Sequence, residues 1–316
     1  MSPALDLLLI INIGWPLLVL VAWLGAAPAQ EDWQFLQVYF LTTPHRWLTL
    51  GLVWGDARRR QTQGTLYLGI LLAAILVCGL VQAGTGALTC LVAVDFLWNT
   101  WHFAAQNHGI YRLYTGKIHP ATDATERLLR VLIRGSIIYV VLRASGWLRA
   151  PDTALLTILD TACGTILIAL LLVAFVRFRS SRAGSLYLAS VVLLYGAWLL
   201  AEVLGERSLI LPLATASAWF HASEYLAVCS WSVQKQAGRQ TTPAQLSTAG
   251  WIYRLAPLWA STMLIYILVV GVGSWYLNRQ IAELWLAMNL VAAFLHYAYD
   301  GLIWRRSNTQ TAVAVQ

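Results

Sequence analysis

Charge is what this chain has least of: 11% of its 316 residues are Asp, Glu, Lys or Arg, against 59% hydrophobic. A soluble fold cannot hide that much apolar surface, so the composition excludes an ordinary soluble domain and leaves a polytopic membrane protein. Lysine is scarcer still. Lys117 and Lys235 both fall outside the apolar runs, so no span offers the amine that a Schiff base needs. Cys78, Cys90, Cys163 and Cys229 sit singly inside apolar runs without a CxxC pair, which is the pattern of small buried hydrophobes. A Walker loop, a GxGxxG turn and a serine nucleophile elbow are all missing, and with them the usual signs of nucleotide and acyl chemistry.

What the chain does have is apolar length. Runs of roughly 20 residues, enough for one crossing each, fall at about ten places: 7–24, 33–54, 65–81, 88–111, 128–147, 154–176, 186–203, 210–231, 256–277 and 281–304. The first lacks a basic leader and a cleavage motif, and reads as a mature helix rather than a signal peptide. Many of the 16 Trp lie near run ends, where indoles anchor at the membrane interface. Net charge is +7 and almost wholly Arg. These cations sit beside the spans, so they speak for anionic headgroups and the bilayer as partner, not for nucleic acid. The basic clusters are Arg58 to Arg60, then Arg112 with Lys117, Arg127 and Arg130, then Arg177, Arg179 and Arg182, then Lys235, Arg239 and Arg254, and last Arg305 and Arg306. They occupy alternate connections, which puts both termini in the cytoplasm. The expected fold is an all-α transmembrane bundle of about ten spans, one domain over 1–306 with an irregular tail over 307–316. Arg, Ala and Trp usage with few Lys suggests a bacterial cytoplasmic (inner) membrane.

The polar residues inside these runs are concentrated. The stretch 95–114 carries Asp95, Asn99, His102, Gln106, His108 and Arg112. The first four of these recur at i, i+4, i+7 and i+11, one helix face. Ionisable groups at membrane depth are costly and mark functional sites by default. In the expected topology His45, His102, His108, His221 and His296 share a band of the membrane on four parallel helices. His119 stands apart in a loop. Glu224 follows His221 at i+3 and Asp300 follows His296 at i+4, each on its histidine's face. Imidazoles and carboxylates on facing helices are how bundles hold iron, manganese or zinc. The five band histidines are the expected metal ligands, His108 being nearest the interface. Glu224 and Asp300 are the expected catalytic carboxylates. Asp95, Asn99, Gln106, Asn289 and Tyr297 are the candidates for orienting the imidazoles. Arg46 and Arg112 read as snorkelling, or as partners of Asp300 or Glu224. Asp160 reads as structural, paired with Arg134 or Arg143.

Four short patches carry a resemblance: Pro44–His45, Trp101–His102–Phe103, Phe220–His221, and His296 with Asp300 four residues on. They resemble the Brp/Blh integral-membrane carotenoid dioxygenases, multi-span proteins taken to bind non-haem iron and cleave a carotene to retinal. The resemblance implies His45, His102, His221 and His296 as ligands. Arg46 stands where that family has Gly, and Ala222, Ser223 and Glu224 follow His221 without a second histidine. Membrane desaturases and hydroxylases, with their HxxxH and HxxHH boxes, have no counterpart among the six histidines.

The expected function is therefore a membrane metal-dependent oxidoreductase or oxygenase, with non-haem iron as cofactor and an apolar, lipid-soluble small molecule as substrate. Two alternatives stay open. One is a b-type haem electron-transfer or sensor protein; the other is a proton or metal-ion transporter, with zinc among the candidate ions.

Overall fold

The computed structural model describes residues 3–25, 27–116, 118, 123–148, 153–240, 245 and 248–304. Lys117, His119, Arg149, Arg305, Arg306 and the expected tail over 307–316 lie outside these residues. The described chain is helical apart from short connections and contains no strand. Its helices are α1 (Pro3–Leu5), α2 (Trp15–Leu24), α3 (Ala27–Leu36), α4 (Thr43–Gly55), α5 (Ala57–Thr85), α6 (Thr89–Thr115), α7 (Ala124–Ala144) and α8 (Thr153–Val176). After these come α9 (Arg182–Leu204), α10 (Arg207–Ala237), α11 (Trp251–Arg254), α12 (Trp259–Gln280) and α13 (Ala282–Ile303).

Among the described residues, five helices are long and apolar enough to cross a membrane: Ala57–Thr85, Ala154–Val176, Arg182–Leu204, Ala256–Gln280 and Ala282–Ile303. A sixth candidate is the pair Pro3–Ile10 and Trp15–Leu24, bent by 48°. Four expected runs fall short of this test, each for a visible reason. Run 33–54 is divided between α3, a π-helical turn over Gln37–Thr42 and α4, with Pro44 near the start of α4. Helices α6, α7 and α10 have 27, 21 and 31 residues, ample for a crossing. What lowers their hydropathy is the same Asp, Asn, His, Gln, Glu and Arg content that makes them interesting.

The backbone divides into two compact units, Met1–Leu41 with Leu97–Val228, and Thr42–Phe96 with Cys229–Gln316. In the first unit α7, α8 and α9 pack on one another. Helix α9 is apolar on most sides and accordingly deeply buried, through Tyr187, Leu188, Val191, Leu194, Tyr195 and Trp198. Helix α8 turns one stripe inward, Cys163, Leu167, Leu170 and Ala174, and exposes Ile158, Ile168, Leu172 and Phe175. That exposed stripe is what a lipid-facing helix offers. Arg143 ties the three helices together: Nη1 donates to Glu202 Oε1 at 2.6 Å, and Nε lies 3.3 Å from Asp160 Oδ1. Tyr139 also donates to Asp160 at 2.6 Å. Of the two partners expected for Asp160, the structure selects Arg143.

In the second unit α13 packs against α4, α5 and α12. Helix α5 contributes one stripe, Tyr67, Leu71, Ala74, Cys78 and Val81, at i, i+4, i+7, i+11 and i+14. Tyr299 of α13 donates to the Tyr67 carbonyl at 2.7 Å. Asp56 caps α5, accepting from the Arg59 amide at 3.2 Å and from the Tyr253 hydroxyl at 2.7 Å. Burial and the adjacent Asp56 carboxylate push the Tyr253 hydroxyl above the usual tyrosine range. Just before Tyr253 the chain passes Gly55 so closely that a Cβ on Gly250 would stand 2.0 Å from the Gly55 carbonyl oxygen. Gly250 also has φ +136°, a conformation that side chains disfavour.

Candidate functional site

Each unit contains one pair of buried imidazoles with a carboxylate one turn further along a helix. In the first unit the pair is His102 of α6 and His221 of α10, with ring centroids 5.0 Å apart and planes at 81°. Phe103 stacks on His221 at 3.9 Å and 17°, fixing the plane of that ring. Gln106, one turn past His102, donates through Nε2 to the His221 carbonyl and to Glu224 Oε2, both at 2.9 Å. A single amide thus links the two helices at the site. Glu224 is wholly buried. The nearby Tyr187 hydroxyl donates to Asn107 Oδ1 at 3.0 Å, and Glu224 Oε1 is left without a hydrogen bond. An orphaned carboxylate oxygen at this depth is expensive unless a proton or a cation meets it.

The second unit pairs His45 of α4 with His296 of α13, centroids 4.8 Å apart and planes at 90°. Thr49, one turn past His45, lies with Oγ1 2.7 Å from His296 Nδ1. Asp300 Oδ2 stands 3.9 Å from His296 Nε2. The ring is therefore gripped at one nitrogen by a hydroxyl and faced at the other by a carboxylate. Beside it runs a second polar set. Tyr297 donates to Asp95 Oδ1 at 2.8 Å, Arg46 Nη2 lies 3.7 Å from Asp95 Oδ2, and the same nitrogen donates to the Tyr297 hydroxyl at 3.3 Å. Tyr266 donates to the carbonyl of Pro44, next to His45, at 2.6 Å.

The remaining candidates sort as follows. Asn99 is half-buried on α6 in the first unit. Asn289 is buried on α13 and donates back to the Trp285 carbonyl of its own helix at 2.9 Å. His108 is buried in the first unit, and its Nε2 makes no hydrogen bond. Two expected pairings are corrected. Arg46 meets Asp95 and not Asp300. Arg112 meets Glu126 at 2.6 Å and not Glu224, and Arg177 closes on the other oxygen of Glu126. Helix face and depth can be read from a sequence; which neighbour a long guanidinium reaches cannot. Sequence reasoning also passed over Thr49, and it named Phe103 only as part of a patch beside His102, not as the ring that stacks on His221. Thr49 is at i+4 from His45, and that spacing alone could have found it. Tyr187 and Asn107, which adjoin Glu224, carried no such signal.

Buried histidine groups compatible with metal binding are thus present. Comparison with protein-family models, curated proteins and solved structures finds no match to the chain. The resemblance to carotenoid dioxygenases accordingly rests on its four short patches.

Proposed function

We propose that the chain is a multi-pass membrane metalloprotein, and within that class a non-haem metal oxidoreductase acting on a lipid-soluble substrate. The observation that carries the reading is the repeated motif of two buried imidazoles and a carboxylate. An imidazole bound through one nitrogen at about 2.1 Å has its ring centre roughly 3.2 Å from the ion. Two such rings at tetrahedral or right angles then have centres about 4.5–5.2 Å apart. The observed separations of 5.0 and 4.8 Å suit neighbouring positions on one ion. They suit opposed ligands of a haem less well, since those need roughly 6 Å.

In this reading His102 and His221, and His45 with His296, are the metal ligands. Bound iron would supply oxygen activation; zinc would supply Lewis acidity alone. Thr49 holds the His296 ring in register through Nδ1, and Phe103 holds His221. Glu224 can carry a proton at Oε1 while Gln106 fixes Oε2, and Asp300 is placed to take or return one near His296. His108 stands aside, because Arg134, Arg112 and Arg130 are within electrostatic reach of it and would oppose a further cation. The topology belongs to the same proposal: about ten spans, with α6, α7 and α10 crossing as polar helices among apolar ones, both termini inside, in a bacterial cytoplasmic membrane.

The test is metal analysis with an absorption spectrum on gently solubilised protein, beside His102→Ala and His296→Ala. One or two irons per chain, no Soret band, and loss in the variants are the expected result. A Soret band lost in both variants would establish the haem reading instead. Protein free of metal and haem after iron and zinc supplementation would sink both and leave transport to be measured in proteoliposomes.

A further inference from the structure

Along the face of α6 that meets α7, the first unit gathers more positive charge than it neutralises. Arg127, Arg130 and Arg134 recur at i, i+3 and i+7 on one face of α7. Glu126 is the carboxylate beside them, and Arg112 and Arg177 already occupy both of its oxygens. Among the described residues, neither Arg130 nor Arg134 has an ion-pair partner. The Arg134 guanidinium lies 5.2 Å from the ring centre of Trp101 on α6, and its Nε is buried without a hydrogen bond. His108, also on α6, has Arg134 and Arg130 in electrostatic reach, is 8% exposed, and keeps Nε2 without a partner. Two buried nitrogens without acceptors, beside guanidiniums without carboxylates, call for an anion.

The surroundings say what kind. Leu97, Trp101, Leu128 and Val131 are apolar and exposed around the same helices, as at a membrane interface where indoles and arginines meet headgroups. We propose that the face of α6 and α7 formed by His108, Arg130, Arg134 and Trp101 is a phosphate-anion site. A phosphate diester or monoester would accept from the Arg134 and Arg130 forks and from His108 Nε2, while any attached chains lie along Leu128 and Val131. The proposal rests on the membrane reading of the chain and not on its metal site.

The probes are phosphatidylglycerol, phosphatidylcholine and inorganic phosphate, added to delipidated full-length protein in a neutral detergent. Retention is read by native mass spectrometry and stabilisation by the thermal midpoint. Phosphatidylglycerol retained, with its midpoint gain weakened at least tenfold in concentration dependence by Arg134→Gln and by Arg130→Gln, assigns the site to an anionic lipid. The same pattern with inorganic phosphate alone assigns it to a soluble phosphate. Equal binding of phosphatidylcholine and phosphatidylglycerol, or undiminished binding in both variants, overturns the site. Arg130 is exposed, so its variant keeps the test open should Arg134→Gln fold poorly. Iron content of the same samples is expected to be unchanged, which separates failure here from failure of the metal reading.

Discussion

The two imidazole pairs have almost the same ring geometry and opposite electrostatic settings. In the second unit the neighbouring carboxylate Asp95 is matched by Arg46 and a tyrosine hydroxyl, and His296 is held by Thr49. In the first unit the carboxyl is Glu224, which meets only neutral groups, the Gln106 amide on one oxygen and the Tyr187 hydroxyl nearby, and its Oε1 makes no hydrogen bond. A buried charge already paired makes a rigid scaffold; a buried carboxyl that is not paired must bind a proton or a cation. Within the second unit the Arg46, Asp95 and Tyr297 set is a scaffold; within the first, Glu224 is a group whose charge can change.

The sharpest way to break this comparison is to remove one imidazole from each side. His221→Ala and His45→Ala are each expected to cost the metal held by their own pair, read by elemental analysis. Unchanged metal content in either variant would remove that pair from the proposed ligand set. Next in size is Asp95→Asn, which strands Arg46. A loss of about 3 kcal/mol in unfolding free energy is expected, and a change near zero would show that this set is no scaffold. Gln106→Leu removes the donor to Glu224 and to the His221 carbonyl, at a cost of about 2 kcal/mol. Glu224→Gln in the same background should recover part of the loss, because a neutral amide tolerates the site better than an unpaired carboxyl. The smallest effect is expected for Thr49→Val, roughly a tenfold weakening of metal affinity with little change in stability. An equal weakening from Phe103→Leu would show that stacking and hydrogen bonding orient the two rings equally well.

How far the sequence could be read follows from what each kind of signal encodes. Hydropathy located the helices, and spacing along a helix placed Glu224 with His221 and Asp300 with His296, because both are properties of a single element. The association of Gln106 with Glu224 was within reach only as a matter of shared depth. The pairings of Arg46 with Asp95, and of Arg112 and Arg177 with Glu126, were beyond reach. They depend on which helices are neighbours, and a guanidinium on a long flexible stem accepts several answers. The division into two units was likewise invisible, since each is assembled from separated stretches of chain and no linker marks the boundary.

That division has a consequence in time. Asp56 and Tyr253 are 197 residues apart in sequence, yet their hydrogen bond and the close passage of Gly250 over Gly55 complete the start of α5. At synthesis rates of about 5–20 residues per second, the second residue leaves the ribosome roughly 10–40 s after the first. Throughout that interval α4 has no α13 to receive His45 or to offer Tyr297 to Arg46. The newborn helix must wait with its polar face unsatisfied until α13 arrives, so this set of contacts closes only late in synthesis.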